Sequence, residues 1–307
     1  MWNALTVDDA RSLAESWQLA LRAERKSAQT LKTYGDGVRF YLSWCERNGQ
    51  LPLERSALTG WTAALIDGGA AASTARSRQL AVRRFAAWLE DEGEIAEDPF
   101  LKLKSPKLDE RVIEPLSDDQ MRGLLKTCAV ARGTEPKVAL RHRRDEAILR
   151  LMFEAGVRAG EVVALAVPDV DLADRVATVR RGKGGKGRVV PFSPEVALAL
   201  DRYLRVRRGH RLADSTHLWL GDRGKAFTYD ALHKSLGERA RVAGIDGFHP
   251  HRLRHTAAHR WLSKGGSESG LMAMAGWTRP EMLMRYTKAQ AAARAADEAR
   301  ALNLGEL

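Results

Sequence analysis

Cysteine is nearly absent from this chain of 307 residues, which has two, Cys45 and Cys128. They stand far apart, each inside an apolar helical pattern. That excludes a disulfide framework and fits two buried thiols in a reducing compartment. No Cys/His spacing fits a zinc site, and no cluster of carboxylates offers a magnesium site. Neither a metal nor a cofactor is therefore expected. No apolar run approaches the roughly 20 residues that cross a bilayer as a helix. The start of the chain, through Thr6-Val7-Asp8-Asp9, carries acids and no basic segment. No signal peptide is expected, and the protein reads as cytoplasmic. Internal repeats and low-complexity tracts are lacking as well.

What is present is length and positive charge. The chain is long enough for two domains with a core each. Its net charge of +11 favours a polyanionic partner, nucleic acid before membrane. The fold class predicted is mainly α with a small antiparallel sheet.

Residues 6–48 read as two helices, capped by Thr6 and Ser27 and ended at Gly49. A shorter helical pattern covers 56–67. A long one opens at Ser73 and closes at Gly93, with Leu80, Ala81, Phe85 and Trp88 expected inside. Its Arg76, Arg78, Arg83 and Arg84 form either a solvated basic face or a set of phosphate contacts. Asp98-Pro99 breaks the pattern. Residues 100–116, with Lys102, Lys104 and Lys107, read as an extended basic linker between an N-terminal domain at 1–99 and a second domain at 117–307.

The second domain starts on a capping box, Ser117 with Gln120. A basic loop is expected over 132–144, then an apolar helix over 145–155 ending at Gly156. Val157-Arg158-Ala159-Gly160-Glu161 opens a short helix, and Arg158 and Glu161 stand at i,i+3, where they can pair. Strands are predicted over 167–172, 175–181 and 188–192. The turn Gly182-Lys183-Gly184-Gly185-Lys186-Gly187 lacks phosphate-loop spacing and joins two strands, so nucleotide cradling is disfavoured. Taken alone it is a plain hairpin that presents lysine at its tip. Helices follow over 194–208, 229–243, 250–263, 268–275, 279–286 and 289–302.

The last quarter gathers the chemistry. In a helix over 250–259, His251 and Arg254 stand at i,i+3, and His251 and His255 at i,i+4, on one face. Trp277 and Tyr286 follow. Together with Arg158 and Lys183 these residues suit attack on a phosphodiester. Two guanidiniums can hold the non-bridging oxygens, and an indole N–H can only donate. A lysine can protonate a departing alkoxide. Tyr286, whose unperturbed pKa is about 10, becomes a nucleophile when nearby cations favour its phenolate, and His251 can accept its proton. The product is a phosphotyrosyl enzyme.

These motifs, in this order, resemble those of the tyrosine recombinase (phage integrase) family. Ala155-Gly156-Val157-Arg158-Ala159-Gly160-Glu161 is similar to the family's first-arginine motif, and Arg181–Arg188 to its lysine hairpin. His251-Arg252-Leu253-Arg254-His255 matches the H-x-L-R-H box, and Arg285-Tyr286-Thr287 the tyrosine box. Trp277 stands where histidine is commoner. The resemblance implies Arg158, Lys183, His251, Arg254, Trp277 and Tyr286 as the catalytic set, with Lys186 as the fallback lysine. Glu161 and His255 are implied as supporting residues. It further implies a four-helix, SAM-like core-binding domain and a mixed α/β catalytic domain; the arm-binding module that larger phage integrases carry is not expected here. The partners implied are double-stranded DNA recombination sites and further copies of the chain, as a tetramer on DNA. Two other functions use the same residues differently: a type IB topoisomerase-like nicking and resealing enzyme, and a catalytically silent DNA-binding accessory protein.

Overall fold

A computed structural model of the chain describes residues 5–108, 113–180, 187–221, 224–280, 282–283 and 300. The chain divides into two compact units, Met1–Arg111 and Val112–Leu307.

The first unit is four helices, α1 (Val7–Ala23), α2 (Ala28–Arg47), α3 (Arg55–Asp67) and α4 (Ala72–Asp91). Local chemistry sets the first two starts. Thr6 and Asp9 form a reciprocal capping box on α1, and the Ser27 hydroxyl accepts the Thr30 N–H on α2. Gly35 and Gly37 lie inside α2 rather than breaking it. A Cβ on Gly37 would stand 2.6 Å from the Ala81 Cβ, so this glycine lets α2 and α4 approach. Trp17, Tyr41, Leu58, Trp61 and Phe85 fill the core. On α4 the inward stripe is Ala75, Gln79, Val82, Ala86 and Leu89, with Ala81 and Phe85 beside it. Leu80, expected inside, falls between the inward rows and is exposed. Trp88 is half-buried.

The stretch 100–116 is tied down at both ends. Phe100 is fully buried in the first core with Leu103 packed against it, and Arg55 donates to the Lys102 carbonyl at 3.0 Å. Leu116 is buried in the second core, and its N–H donates to Thr256 Oγ1 at 2.8 Å.

The second unit contains α5 (Asp118–Lys126), α6 (Pro136–Ala155), α7 (Ala159–Ala164), β1 (Val170–Asp171), β2 (Val176–Val179), β3 (Arg188–Pro191), α8 (Pro194–Arg207), α9 (Tyr229–Val242), α10 (Pro250–Ser263) and α11 (Glu268–Ala275). The strands form one antiparallel sheet in the order β1-β2-β3, and Val179 pairs with Arg188 at the end of the described ladder. Residues 136–144, expected as basic loop, are the first turns of α6. Pro136 opens the helix, and Arg144 is buried rather than solvated. It donates to Asp145 Oδ1 through Nε at 3.0 Å, while Asp145 Oδ2 accepts from Arg239 Nε at 3.0 Å and Ser235 Oγ at 2.8 Å. This buried network locks α9 to α6. The helices expected over 279–286 and 289–302 lie largely outside the described residues. Among the described residues no helix is long and apolar enough to cross a membrane.

Candidate active site

Two glycines in the left-handed conformation shape the site. Gly156 (φ 59°) ends α6 and turns the chain into the extended Arg158, the N-cap of α7. Gly276 (φ 64°) ends α11, and the Trp277 N–H returns to the Met272 carbonyl at 2.9 Å. Between these ends runs α10, opened by Pro250 with His249 at its N-cap. Arg254 is 2% exposed. It donates to the Gly156 carbonyl at 2.6 Å and to the Ala275 carbonyl at 2.8 Å. Its guanidinium lies 5.3 Å from the centre of the Trp277 ring, within cation–π range. One arginine thus ties together the ends of α6 and α11.

The pair expected at i,i+3 forms. Glu161 accepts the backbone N–H of Arg158 and one of its guanidinium donors, both at 2.9 Å. Arg188 completes the arrangement with two bonds to the same carboxylate, at 3.0 and 2.8 Å. Burial alone would raise the Glu161 pKa, but the Arg188 and Arg158 hydrogen bonds outweigh it and hold the carboxyl at about 2.

Arg158, Glu161, His249, His251 and Arg254 line one cavity of about 420 Å³, with Tyr229 and His233 of α9 on its wall. His251 meets His255 edge-on at 4.8 Å, as their four-residue spacing requires. Burial, then Arg252 and His233, lowers the His249 pKa. Sequence reasoning passed over three residues here. Arg188 stood inside a quoted motif with no role. Tyr229 and His233, four apart on one helix, bring their rings to 4.5 Å with the planes tilted by 43°, and that spacing was their only signal. The His233 Nε2 is buried without a hydrogen-bond partner among the described residues. Among the described residues no three His, Cys, Asp or Glu side chains gather as metal ligands.

Chemically, the cavity favours an anion. Its carboxylate is shared by two guanidiniums, and the carbonyls of Gly156 and Ala275 orient the Arg254 guanidinium. Lys183, the fallback Lys186 and Tyr286 lie outside the described residues. Of the residues expected on DNA, Arg76, Arg84, Lys102, Lys104 and Lys107 are exposed. Arg78 lies over the Phe40 ring at 4.8 Å. Arg83 turns inward, to Ser105 Oγ and the Leu101 carbonyl at 3.4 Å each.

The phage integrase family model matches residues 114–293, and the model of the phage integrase N-terminal SAM-like domain matches 14–93. The chain belongs to the phage integrase family. It is 36% identical over 255 residues to the tyrosine recombinase XerC of Mycobacterium tuberculosis (strain ATCC 25177 / H37Ra), covering 80% of this chain and 83% of that protein. It is 34% identical over 243 residues to the tyrosine recombinase XerD of Ralstonia nicotianae, covering 77% and 76%. Two solved structures share the fold. One is a lambda integrase tetramer bound to a Holliday junction (TM-score 0.69, 16% identity, 92% of this chain and 78% of that one). The other is the Tn1549 transposon integrase with circular intermediate DNA (TM-score 0.68, 18% identity, 89% and 94%). The helical N-terminal domain, the small antiparallel sheet and the catalytic domain are those of this family, and the chain is a tyrosine-type site-specific recombinase.

Proposed function

We propose that this recombinase breaks and rejoins DNA strands through a 3′-phosphotyrosyl intermediate, with Tyr286 as nucleophile. The observation that carries the proposal is the convergence of Arg158, His251 and Arg254 on one cavity. In the reading that follows, the two arginines hold the non-bridging oxygens of the scissile phosphate, where charge grows during attack. Trp277 braces Arg254 and is the third donor. The Tyr286 oxygen bonds to phosphorus, its proton passes to His251, and the bond to the 5′ oxygen breaks. Lys183 delivers a proton to that oxygen, which leaves as a hydroxyl. His255 supports His251, and Glu161 orients Arg158. The bond energy of the broken strand is kept in the phosphotyrosine, and a 5′ hydroxyl from a second strand reverses the steps.

Residues 1–99 act as a DNA-binding domain and 117–307 as the catalytic domain, with Arg76, Arg78, Arg84, Lys102, Lys104 and Lys107 on the phosphate backbone. Four copies pair two recombination sites and exchange strands through a Holliday junction, as the lambda integrase neighbour's tetramer on a junction supports. Family membership and the Xer relatives favour neither a topoisomerase-like enzyme nor a silent accessory protein. Incubation with a nicked suicide substrate tests the chemistry. A protein–DNA covalent complex is expected from the parent chain and none from Tyr286→Phe, which still shifts the DNA in a gel. A covalent complex from Tyr286→Phe would refute the assignment.

A further inference from the structure

Arg188 stands where three parts of the second unit meet. Its two terminal nitrogens donate to the two oxygens of Glu161, 27 residues away, at 3.0 and 2.8 Å. Its Nε donates to the Met274 carbonyl, 86 residues away, at 2.8 Å. Its backbone pairs with Val179 in the β2–β3 ladder. One guanidinium, its side chain 11% exposed, therefore joins β3, the start of α7 and the last turn of α11. Each attachment borders a residue of the proposed chemistry. Glu161 holds Arg158. Gly276 and Trp277 stand two and three residues beyond Met274. The chain between the paired Val179 and Arg188 carries Lys183. The surroundings are fitted to this side chain, since a Cβ on Gly276 would meet its terminal nitrogen at 3.0 Å.

Arg188 is not among the cavity-lining residues, so it acts through others. A lysine here would keep the charge but not the fork, because an ammonium cannot match the paired geometry of a carboxylate while also reaching a carbonyl. We propose that Arg188 is a positioning residue for strand cleavage, fixing the base of the Lys183 segment, with the Glu161 carboxylate and the Met274 carbonyl as its anchors. This rests on the recombinase chemistry proposed above.

The test is single-turnover cleavage by the full chain of two suicide substrates, one with an ordinary 5′-oxygen leaving group and one with 5′-sulfur. Arg188→Lys, Arg188→Met, Glu161→Gln and the double variant Glu161→Gln/Arg188→Met are compared, each below its melting transition. Arg188→Lys and Arg188→Met should slow the oxygen strand by about 100-fold, the scale of a misplacement of roughly 1 Å, with binding in a gel shift nearly unchanged. The sulfur strand should lose much less, because a thiolate leaves without a proton. The double variant should cleave the oxygen strand at least about 10-fold more slowly than Glu161→Gln. Three results overturn the proposal: rates for both Arg188 variants within about twofold of the parent, equal losses on the two strands, or a double variant as fast as Glu161→Gln. Lys183→Ala separates the causes of failure. If it spares the sulfur strand while the Arg188 variants do not, only the positioning role falls. If it slows both strands equally, the lysine assignment falls and the positioning role with it.

Discussion

Replacing Glu161 by glutamine removes a charge whose contribution is readable from its surroundings. The carboxylate is 7% exposed. Burial works against its ionisation, yet the Arg188 fork and the Arg158 donors bring its pKa from an ordinary 4.5 down to about 2. A group depressed in the folded state stabilises the fold above its unfolded pKa, and that stability is lost as pH falls through the folded value. The depression contributes on the order of 3 kcal/mol at pH 7. Glutamine mimics the protonated acid at every pH, so the parent should exceed Glu161→Gln by about 3 kcal/mol at pH 7 and by about 2 kcal/mol at pH 3.5. Urea titrations at the two pH values, followed by circular dichroism and resolved into their separate transitions, read the gap directly. A gap below about 1 kcal/mol at pH 7 would refute the reasoning, as would a gap that widens towards acid.

Other changes follow from the same geometry. Arg254→Lys cannot span the Gly156 and Ala275 carbonyls at once, so cleavage should fall by about 10²- to 10³-fold, with melting lowered by a loss of about 2 kcal/mol. Single-turnover trapping and a thermal melt check both parts. Gly37→Ala places a methyl 2.6 Å from Ala81 and should destabilise the first unit by about 1–3 kcal/mol, seen as an earlier transition in urea. Asp145→Asn leaves Arg144 and Arg239 buried without their shared counter-charge. It should cost about 3–5 kcal/mol in the second unit, again measured by denaturation.

The sequence disclosed what is local. Thr6, Ser27, and Ser117 with Gln120 mark helix starts because a cap is made within three residues. Arg158 with Glu161, and His251 with His255, were legible for the same reason: helical spacing alone brings each pair together. The misses depend on distant partners. Arg143 and Arg144 made the first turns of α6 read as loop, because an arginine run signals solvent unless its acceptors are known. One acceptor of Arg144 is the Leu220 carbonyl, 76 residues on. Leu80 was placed inward because neighbouring positions on a helix look interchangeable until the packing partner fixes the angle of the stripe. Arg188 had no visible role because its contacts lie 27 and 86 residues away.

Those distant contacts also set how the cavity's charged groups are held. Among the described residues lining the cavity the one carboxylate is Glu161, and both Arg158 and Arg188 bond to it. The fold orients Arg254 with the carbonyls of Gly156 and Ala275 and the face of Trp277. These fix its direction. Fixed donors that need no reorganisation are what an anionic transition state requires. The two left-handed glycines serve that arrangement, because each ends a helix where its carbonyls face inward. Position 156 illustrates the constraint. A Cβ there would add left-handed strain and stand 3.3 Å from Ala257, disturbing the turn whose carbonyl holds Arg254 and whose next residues carry Arg158.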